Sequence, residues 1–257
     1  MTESAAGYQA VAPRFPAVLP GDDLPSLIID ALAARGLEPR DGDVIVLAQK
    51  IVSKAEGRLV NLASVEPGAE ALALAARVLK DSRMVELVLR ESVRVVRALP
   101  NLLIVEHRLG LIMANAGIDR SNVSGPAPGE WALLLPEDPD ASAARLRDAM
   151  AKRTGAALGI VINDSFGRPW RQGSTGTAIG AAGIPSLIDL RGRPDLFGRQ
   201  LEVTLVAVAD EIAAAASLLM GQADEGRPIV LLRGLSWQAP LSPAGAIIRP
   251  SAEDAFR

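Results

Sequence analysis

Two continuous apolar runs, Val44-Ile45-Val46-Leu47-Ala48 and Ala157-Leu158-Gly159-Ile160-Val161-Ile162, constrain the fold of this chain most. Neither alternates apolar with polar residues, so each reads as a strand covered on both faces, inside a sheet with further layers on either side. Each run gives way abruptly to polar residues, Gln49-Lys50 after the first and Asn163-Asp164-Ser165 after the second. The carboxyl ends of buried strands are where open sheets present ligand-binding groups.

The segments between these runs set the class. Gly21-Asp22-Asp23 is a turn and cap signal, followed at helical spacing by Leu24, Leu27, Ile28 and Leu32, with Gly36 as the stop. Residues 68–90 predict one Ala/Leu-rich helix, 93–96 and 102–105 predict strands, and Arg108-Leu109-Gly110 turns into a hairpin partner at 111–113. A strand over 131–135, a helix from Asp140 to Gly155, a strand over 201–208, a helix over 209–220 and a last strand over 228–232 complete the pattern. The stretch 164–200 is too rich in Gly and Arg for ordinary core. Hairpins mixed with strand–helix alternation predict an α+β (mixed α/β) fold and not a simple doubly wound sheet. Residues 1–14 and 246–257 read as tails around one large domain, or two intimate ones, over 15–245.

Composition then restricts the chemistry. The 257 residues include no cysteine and one histidine, His107. That excludes disulfides, thiolate nucleophiles, Cys-ligated metals and multi-histidine centres. Carboxylates, hydroxyls, Lys/Arg, backbone N–H groups and oxygen-ligated hard cations remain. Lys+Arg number 27 against 30 Asp+Glu, a net charge of −3 that gives no global attraction for nucleic acid or acidic lipid. No apolar stretch approaches the 18 residues of a membrane span, and the N-terminus lacks a signal-peptide pattern, so the expected compartment is the cytoplasm.

Two carboxylates stand out. Asp119 follows the turn Asn115-Ala116-Gly117, with Asn122 three residues on. It is placed either to hold a hard cation or to cap its own turn. Asp164, with the Ser165 hydroxyl beside it, lies at the end of the second buried run. Convergence of the two on Mg²⁺ or Mn²⁺ would suit a nucleotide phosphate; an N-cap or a structural pair with Arg168 or Arg171 is the plainer alternative. Arg168-Pro169-Trp170-Arg171-Gln172-Gly173 adds two guanidinium groups and a Gly-rich backbone suited to an anion. No Walker A or Rossmann fingerprint is present. Lys50, Ser53, Lys54 and Arg58 form a second polar cluster, either contacting phosphate or simply solvated. His107 has no Ser/Asp partners that would mark a triad, and a surface or pairing role is expected for it.

These segments occur in an order that carries more than their separate chemistry. Val52-Ser53-Lys54-Ala55-Glu56-Gly57-Arg58, Ala114 to Val123, Asp164-Ser165-Phe166-Gly167-Arg168-Pro169-Trp170-Arg171, Asp195-Leu196-Phe197-Gly198-Arg199 and Leu219-Met220-Gly221-Gln222 together closely resemble the coenzyme F420-0:L-glutamate ligase (gamma-glutamyl ligase) family over roughly residues 15–237. The resemblance implies a two-lobed fold with mixed sheets, an intertwined homodimer, and GTP- and metal-dependent addition of L-glutamate to the deazaflavin coenzyme F420-0. The tail would be extended by one or more glutamates through an acyl phosphate, with GDP and phosphate released.

It further implies metal ligation by Asp119 and Asp164, with Ser165 and Gln222 serving a second ion; Mg²⁺ or Mn²⁺ is expected, with K⁺ a further candidate. The GTP-contacting positions are Phe15, Pro16, Ala17, Val18, Gln49, Lys50, Lys54, Asn122 and the loop Met220, Gly221, Gln222, Ala223, Asp224, Glu225, Gly226 and Arg227. Arg168 and Arg171 join Asp119 and Asp164 as the catalytic set, and the Lys50/Lys54/Arg58 and Arg168/Arg171 clusters are expected to line one cleft with the carboxylates. Ser165 stands where threonine is more usual, and Gln49-Lys50 departs from the small hydroxyl pair of some archaeal members. Actinobacterial relatives carry an added nitroreductase-like flavin domain, which a chain ending at Arg257 is not expected to contain. The competing readings are a nucleotide-dependent ligase for another carboxylate acceptor and a non-catalytic deazaflavin- or nucleotide-binding protein.

Overall fold

The computed structural model describes residues 7–123, 125 and 127–255. Its central sheet has five strands in the order β1-β12-β2-β8-β9, built from β1 (Gln9–Val11), β2 (Val44–Ala48), β8 (Gly159–Arg168), β9 (Arg171–Ala182) and β12 (Ile229–Arg233). Only β2 and β8 run parallel, paired from Val44–Gly159 to Ala48–Asn163; every other neighbour in this sheet is antiparallel.

The two apolar runs are therefore the paired middle of the sheet, and their residues divide between two cores. Ile45, Leu47, Ile160, Ile162, Ile229 and Leu231 face one side, against helices α1 (Leu24–Ala33), α2 (Gln49–Ala55) and α5 (Pro139–Thr154). Val44, Val46, Val161, Val230 and Leu232 face the other, against α6 (Val208–Met220). Alternation along each strand distributes one continuous apolar sequence between two layers. Side chains such as Ile28 and Leu32 of α1 are fully buried, each contributing about 1.5–3 kcal/mol by removal from water.

A third core lies beside this sheet. Helices α3 (Ala69–Val78) and α4 (Ser82–Arg90) pack with the sheet β4 (Ser92–Leu99), β5 (Leu102–His107) and β6 (Ile112–Ala114), and with the pair β3 (Leu59–Asn61) and β7 (Trp131–Leu133). A last small pair joins β10 (Ile188–Asp189) to β11 (Leu205–Val206). The fold is mixed α/β, as the sequence pattern predicts.

Several elements differ from expectation. The single helix over 68–90 is two, because Leu79 turns left-handed (φ 54°) and Asp81 caps a new start by accepting from the Arg83 N–H at 2.9 Å. The largest difference is in the Gly/Arg-rich region. Its first part is regular sheet that enters the core: β8 continues through Asp164 to Arg168, turns at Pro169-Trp170 and returns as β9, buried from Ala178 to Ala182. Glycine replaces apolar bulk there because the hairpin lies close to helices. A Cβ on Gly176 would stand 2.4 Å from the Ala213 carbonyl oxygen of α6, and one on Gly180 2.4 Å from that of Pro139 in α5.

The strand expected over 201–208 shrinks to Leu205–Val206, and α6 begins at Val208. Within the N-terminal segment read as a tail, Gln9–Val11 pairs with β12; residues 1–6 lie outside the described residues. Within the C-terminal one, Ile247 packs into the α6 core, while residues 256–257 lie outside the described residues. Among the described residues no helix is long and apolar enough to cross a membrane.

His107 pairs as expected but is not on the surface. Its ring is fully buried, Nδ1 accepts from the Leu109 N–H at 3.0 Å, and Nε2 lies 3.5 Å from a Glu91 carboxylate oxygen. Glu91 also accepts from Arg58 and Arg108, each at 3.2 Å. Arg58 is thereby committed to a structural ion cluster and to the Leu135 carbonyl, to which its Nε donates at 2.9 Å. It is not a phosphate-facing group, contrary to the sequence expectation.

Candidate active site

Parallel pairing of β2 with β8 brings two chain exits together. Ala48 stands opposite Asn163, so Gln49-Lys50 and Asp164-Ser165 leave the same end of the sheet. Asp119 arrives from the third core, in which Ala116 and Ile118 are buried. The turn before it places Asn115 and Ala116 at positive φ, and the Asp119 backbone then exchanges two hydrogen bonds with Leu133, at 3.0 and 2.9 Å. With its backbone fixed there, the side chain reaches α2: one oxygen accepts from Gln49 Nε2 at 2.7 Å, and the other lies 3.4 Å from Lys50 Nζ. Asp119 is therefore not a cap of its own turn.

Asp164 is neither an N-cap nor an arginine's partner. It sits within β8 and accepts from the Ser165 N–H at 2.8 Å. Burial, together with the neighbouring Asp119 carboxylate, pushes its pKa up to about 6. Burial also raises Asp119, against the opposing effect of Lys50. Two carboxylates held near each other in a poorly solvated place repel, and a divalent cation relieves that repulsion. The donor set is all oxygen: both carboxylates, the Ser165 hydroxyl and the Gln222 carbonyl, to which Ser165 Oγ donates at 2.8 Å. This chemistry fits Mg²⁺ or Mn²⁺. Among the described residues no three His, Cys, Asp or Glu side chains cluster as a metal centre.

A cleft of about 460 Å³ opens beside these groups. Its walls include Phe15, Pro16, Ala17, Gln49, Lys50, Lys54, Asn122, Asp164, Ser165 and the whole loop from Met220 to Arg227. Each segment is tied to the next. Phe15 N–H donates to the Gly226 carbonyl at 3.2 Å, Asn122 Nδ2 to that of Ala223 at 3.0 Å, and Lys54 Nζ to that of Asn122 at 2.9 Å. Partial burial and the nearby Lys50 charge lower the Lys54 pKa, as expected for two cations sharing a cleft wall.

Three expected positions lie elsewhere. Val18 is buried in the α1 core, since its neighbours carry the chain out of the cleft and under the helix. Arg168 and Arg171 pair in register at the exposed tip of the β8–β9 hairpin, beyond the cleft wall of the single chain. Sequence reasoning missed Asn163, which is buried in the wall. Its Oδ1 accepts from the Thr177 N–H at 3.0 Å and its Nδ2 donates to Ser217 Oγ at 3.0 Å, beside a register shift that admits an extra β9 residue. A polar residue ending an apolar run was the available signal.

The model of the family described as F420-0:Gamma-glutamyl ligase matches residues 13–234. A Methanopyrus kandleri protein named coenzyme F420:L-glutamate ligase is 47% identical over 245 residues, covering 93% of this chain and 93% of its own. Proteins of the same name from Methanothermobacter thermautotrophicus and Archaeoglobus fulgidus are 47% and 43% identical, covering 94% of this chain and 95% and 93% of theirs.

Proposed function

Because the chain belongs to the F420-0:gamma-glutamyl ligase family and is a ligase, we propose that it joins L-glutamate to coenzyme F420-0 at the expense of GTP. The observation that carries this reading is the pair Asp119 and Asp164 beside a cleft whose lining presents Lys50 and Lys54. An enzyme for anionic substrates needs positive charge beside its carboxylates, and the chain as a whole, at −3, does not provide it.

In this proposal the GTP phosphates lie along Lys50, Lys54 and the 220–227 loop, with Phe15 to Ala17 and Asn122 enclosing the nucleotide. A terminal carboxylate oxygen of the coenzyme precursor attacks the γ-phosphorus, and GDP leaves. The glutamate amine then attacks the acyl carbon, loses a proton and expels inorganic phosphate. No protein nucleophile is required; the residues position the substrates and offset their charge. Asp119 and Asp164 would hold one divalent ion, and Ser165 and Gln222 would contribute to a second. When bound, such ions neutralise phosphate charge. Arg168 and Arg171 would meet anionic substrate from the hairpin tip in a homodimer.

Incubation of the protein with GTP, Mg²⁺ or Mn²⁺, L-glutamate and F420-0, read by mass spectrometry, tests the proposal. The expected result is coenzyme heavier by one or more glutamyl units, with GDP formed in step. No product with either metal overturns it.

A further inference from the structure

Gln49 occupies a position that family resemblance assigns to the nucleotide, yet its amide is engaged inside the protein at both ends. Nε2 donates to Asp119 Oδ2 at 2.7 Å, and Oε1 accepts from Ser53 Oγ at 2.9 Å. Gln49 is 1% exposed and Ser53 fully buried, one turn further along α2. We propose that Ser53 and Gln49 form a positioning relay for Asp119: the hydroxyl sets which way the amide faces, and the amide sets the carboxylate.

Donors and acceptors set the orientation of the amide. An amide can be rotated so that its oxygen and nitrogen exchange places. The flipped form would set the Gln49 carbonyl against the Asp119 carboxylate, two acceptors without a proton between them, in a place with little water to screen them. The Ser53 hydroxyl, donating to Oε1, holds the productive orientation. Asp119 Oδ2 is then occupied by the amide, which leaves Oδ1, 3.4 Å from Lys50 Nζ, as the oxygen available to a metal ion. Groups that orient a ligand carboxylate in this way commonly change metal affinity 10–100-fold when removed.

This inference rests on the proposed metal role of Asp119, so the test separates the two. Mn²⁺ alone is titrated into the full-length protein and followed by electron paramagnetic resonance, for wild type, Asp119→Asn, Gln49→Met, Ser53→Ala and the Gln49→Met/Ser53→Ala double variant. In parallel, the side-chain amide signals of Gln49 are followed by nitrogen NMR without metal. Expected are a loss of binding in Asp119→Asn, a roughly tenfold weakening in each of Gln49→Met and Ser53→Ala, and no further weakening in the double variant, since Ser53 acts through Gln49. Asp119→Asn and Ser53→Ala should each shift the Gln49 amide signals.

Wild-type affinity in Gln49→Met and Ser53→Ala, with binding lost in Asp119→Asn, overturns the relay and leaves the metal reading standing. Additive losses in the double variant also overturn it, as does lower thermal stability without any change in Mn²⁺ affinity. Absence of Mn²⁺ binding by the wild type overturns both. Should Gln49→Met fail to fold, Ser53→Ala keeps every atom of Gln49 and carries the test.

Discussion

The Ser165 hydroxyl donates to the Gln222 side-chain carbonyl at 2.8 Å, joining strand β8 to the loop that follows α6 across 57 residues of sequence. The contact is exposed to the cleft, and its two oxygens stand next to Asp164. The 220–227 loop is thus tied to the same strand that carries a proposed metal ligand. Ser165→Ala should raise the KM for GTP several-fold while changing the thermal midpoint little, since a neutral hydrogen bond at an exposed site contributes about 0.5–1.5 kcal/mol. Steady-state kinetics beside a thermal melt checks the separation.

Asp164→Asn is expected to abolish turnover and to stabilise the metal-free protein. Its carboxyl has a folded-state pKa pushed up to about 6. A carboxyl raised in this way favours the fold below its unfolded value near 3.9, and that contribution is lost as pH rises toward and through 6. At pH 7 the ionised group therefore opposes folding, by on the order of 2 kcal/mol. Urea denaturation in the presence of a chelator should give a higher midpoint for the variant at pH 7 and a smaller difference at pH 4.

Lys54→Met should weaken GTP binding about tenfold or more, because loss of a charge-assisted hydrogen bond costs about 1.5–3 kcal/mol. The same ammonium holds the Asn122 carbonyl at 2.9 Å. Calorimetric titration with GTP measures the first effect, and an unchanged far-ultraviolet spectrum would place it in the cleft and not in the fold.

Glu91 gives the opposite pH sign to Asp164. Burial would raise its pKa, but the nearby His107 ring and the charges of Arg58 and Arg108 outweigh it and hold the pKa at about 2. That contribution is fully present above the unfolded value near 4.3 and is lost as pH falls toward 2. Glu91→Gln should cost about 2–3 kcal/mol at pH 7, allowing for solvent screening of this half-buried cluster, and about half of that at pH 3. Denaturant melts of both proteins at the two pH values decide it; an equal cost at both would remove the ionic account.

Gly180→Ala should destabilise by about 1–3 kcal/mol, since its Cβ would meet rigid main chain at the start of α5. A thermal midpoint within a degree of wild type would mean that the strand and helix can separate without cost.

Much of this protein was written locally in the sequence. The runs Val44 to Ala48 and Ala157 to Ile162 demanded burial on both sides, and the structure answers with one sheet between two cores. The segments 15–17, 49–54 and 220–227, noticed through family resemblance, meet around one cleft. The lack of cysteine and the single histidine limited its chemistry to oxygen, nitrogen and hard cations before any element was placed.

Tertiary structure decided what periodicity cannot carry. Whether Asp119 capped its own turn depended on Gln49, 70 residues away, and whether Arg58 faced a phosphate depended on Glu91. Gly176 and Gly180 are strand residues without side chains because helices α6 and α5 approach too closely for a Cβ. Burial on two faces is an additive, local property of a run of side chains. The partner of a single polar atom is set only when distant segments are packed together, so the sequence determined the layers and the packing determined the site.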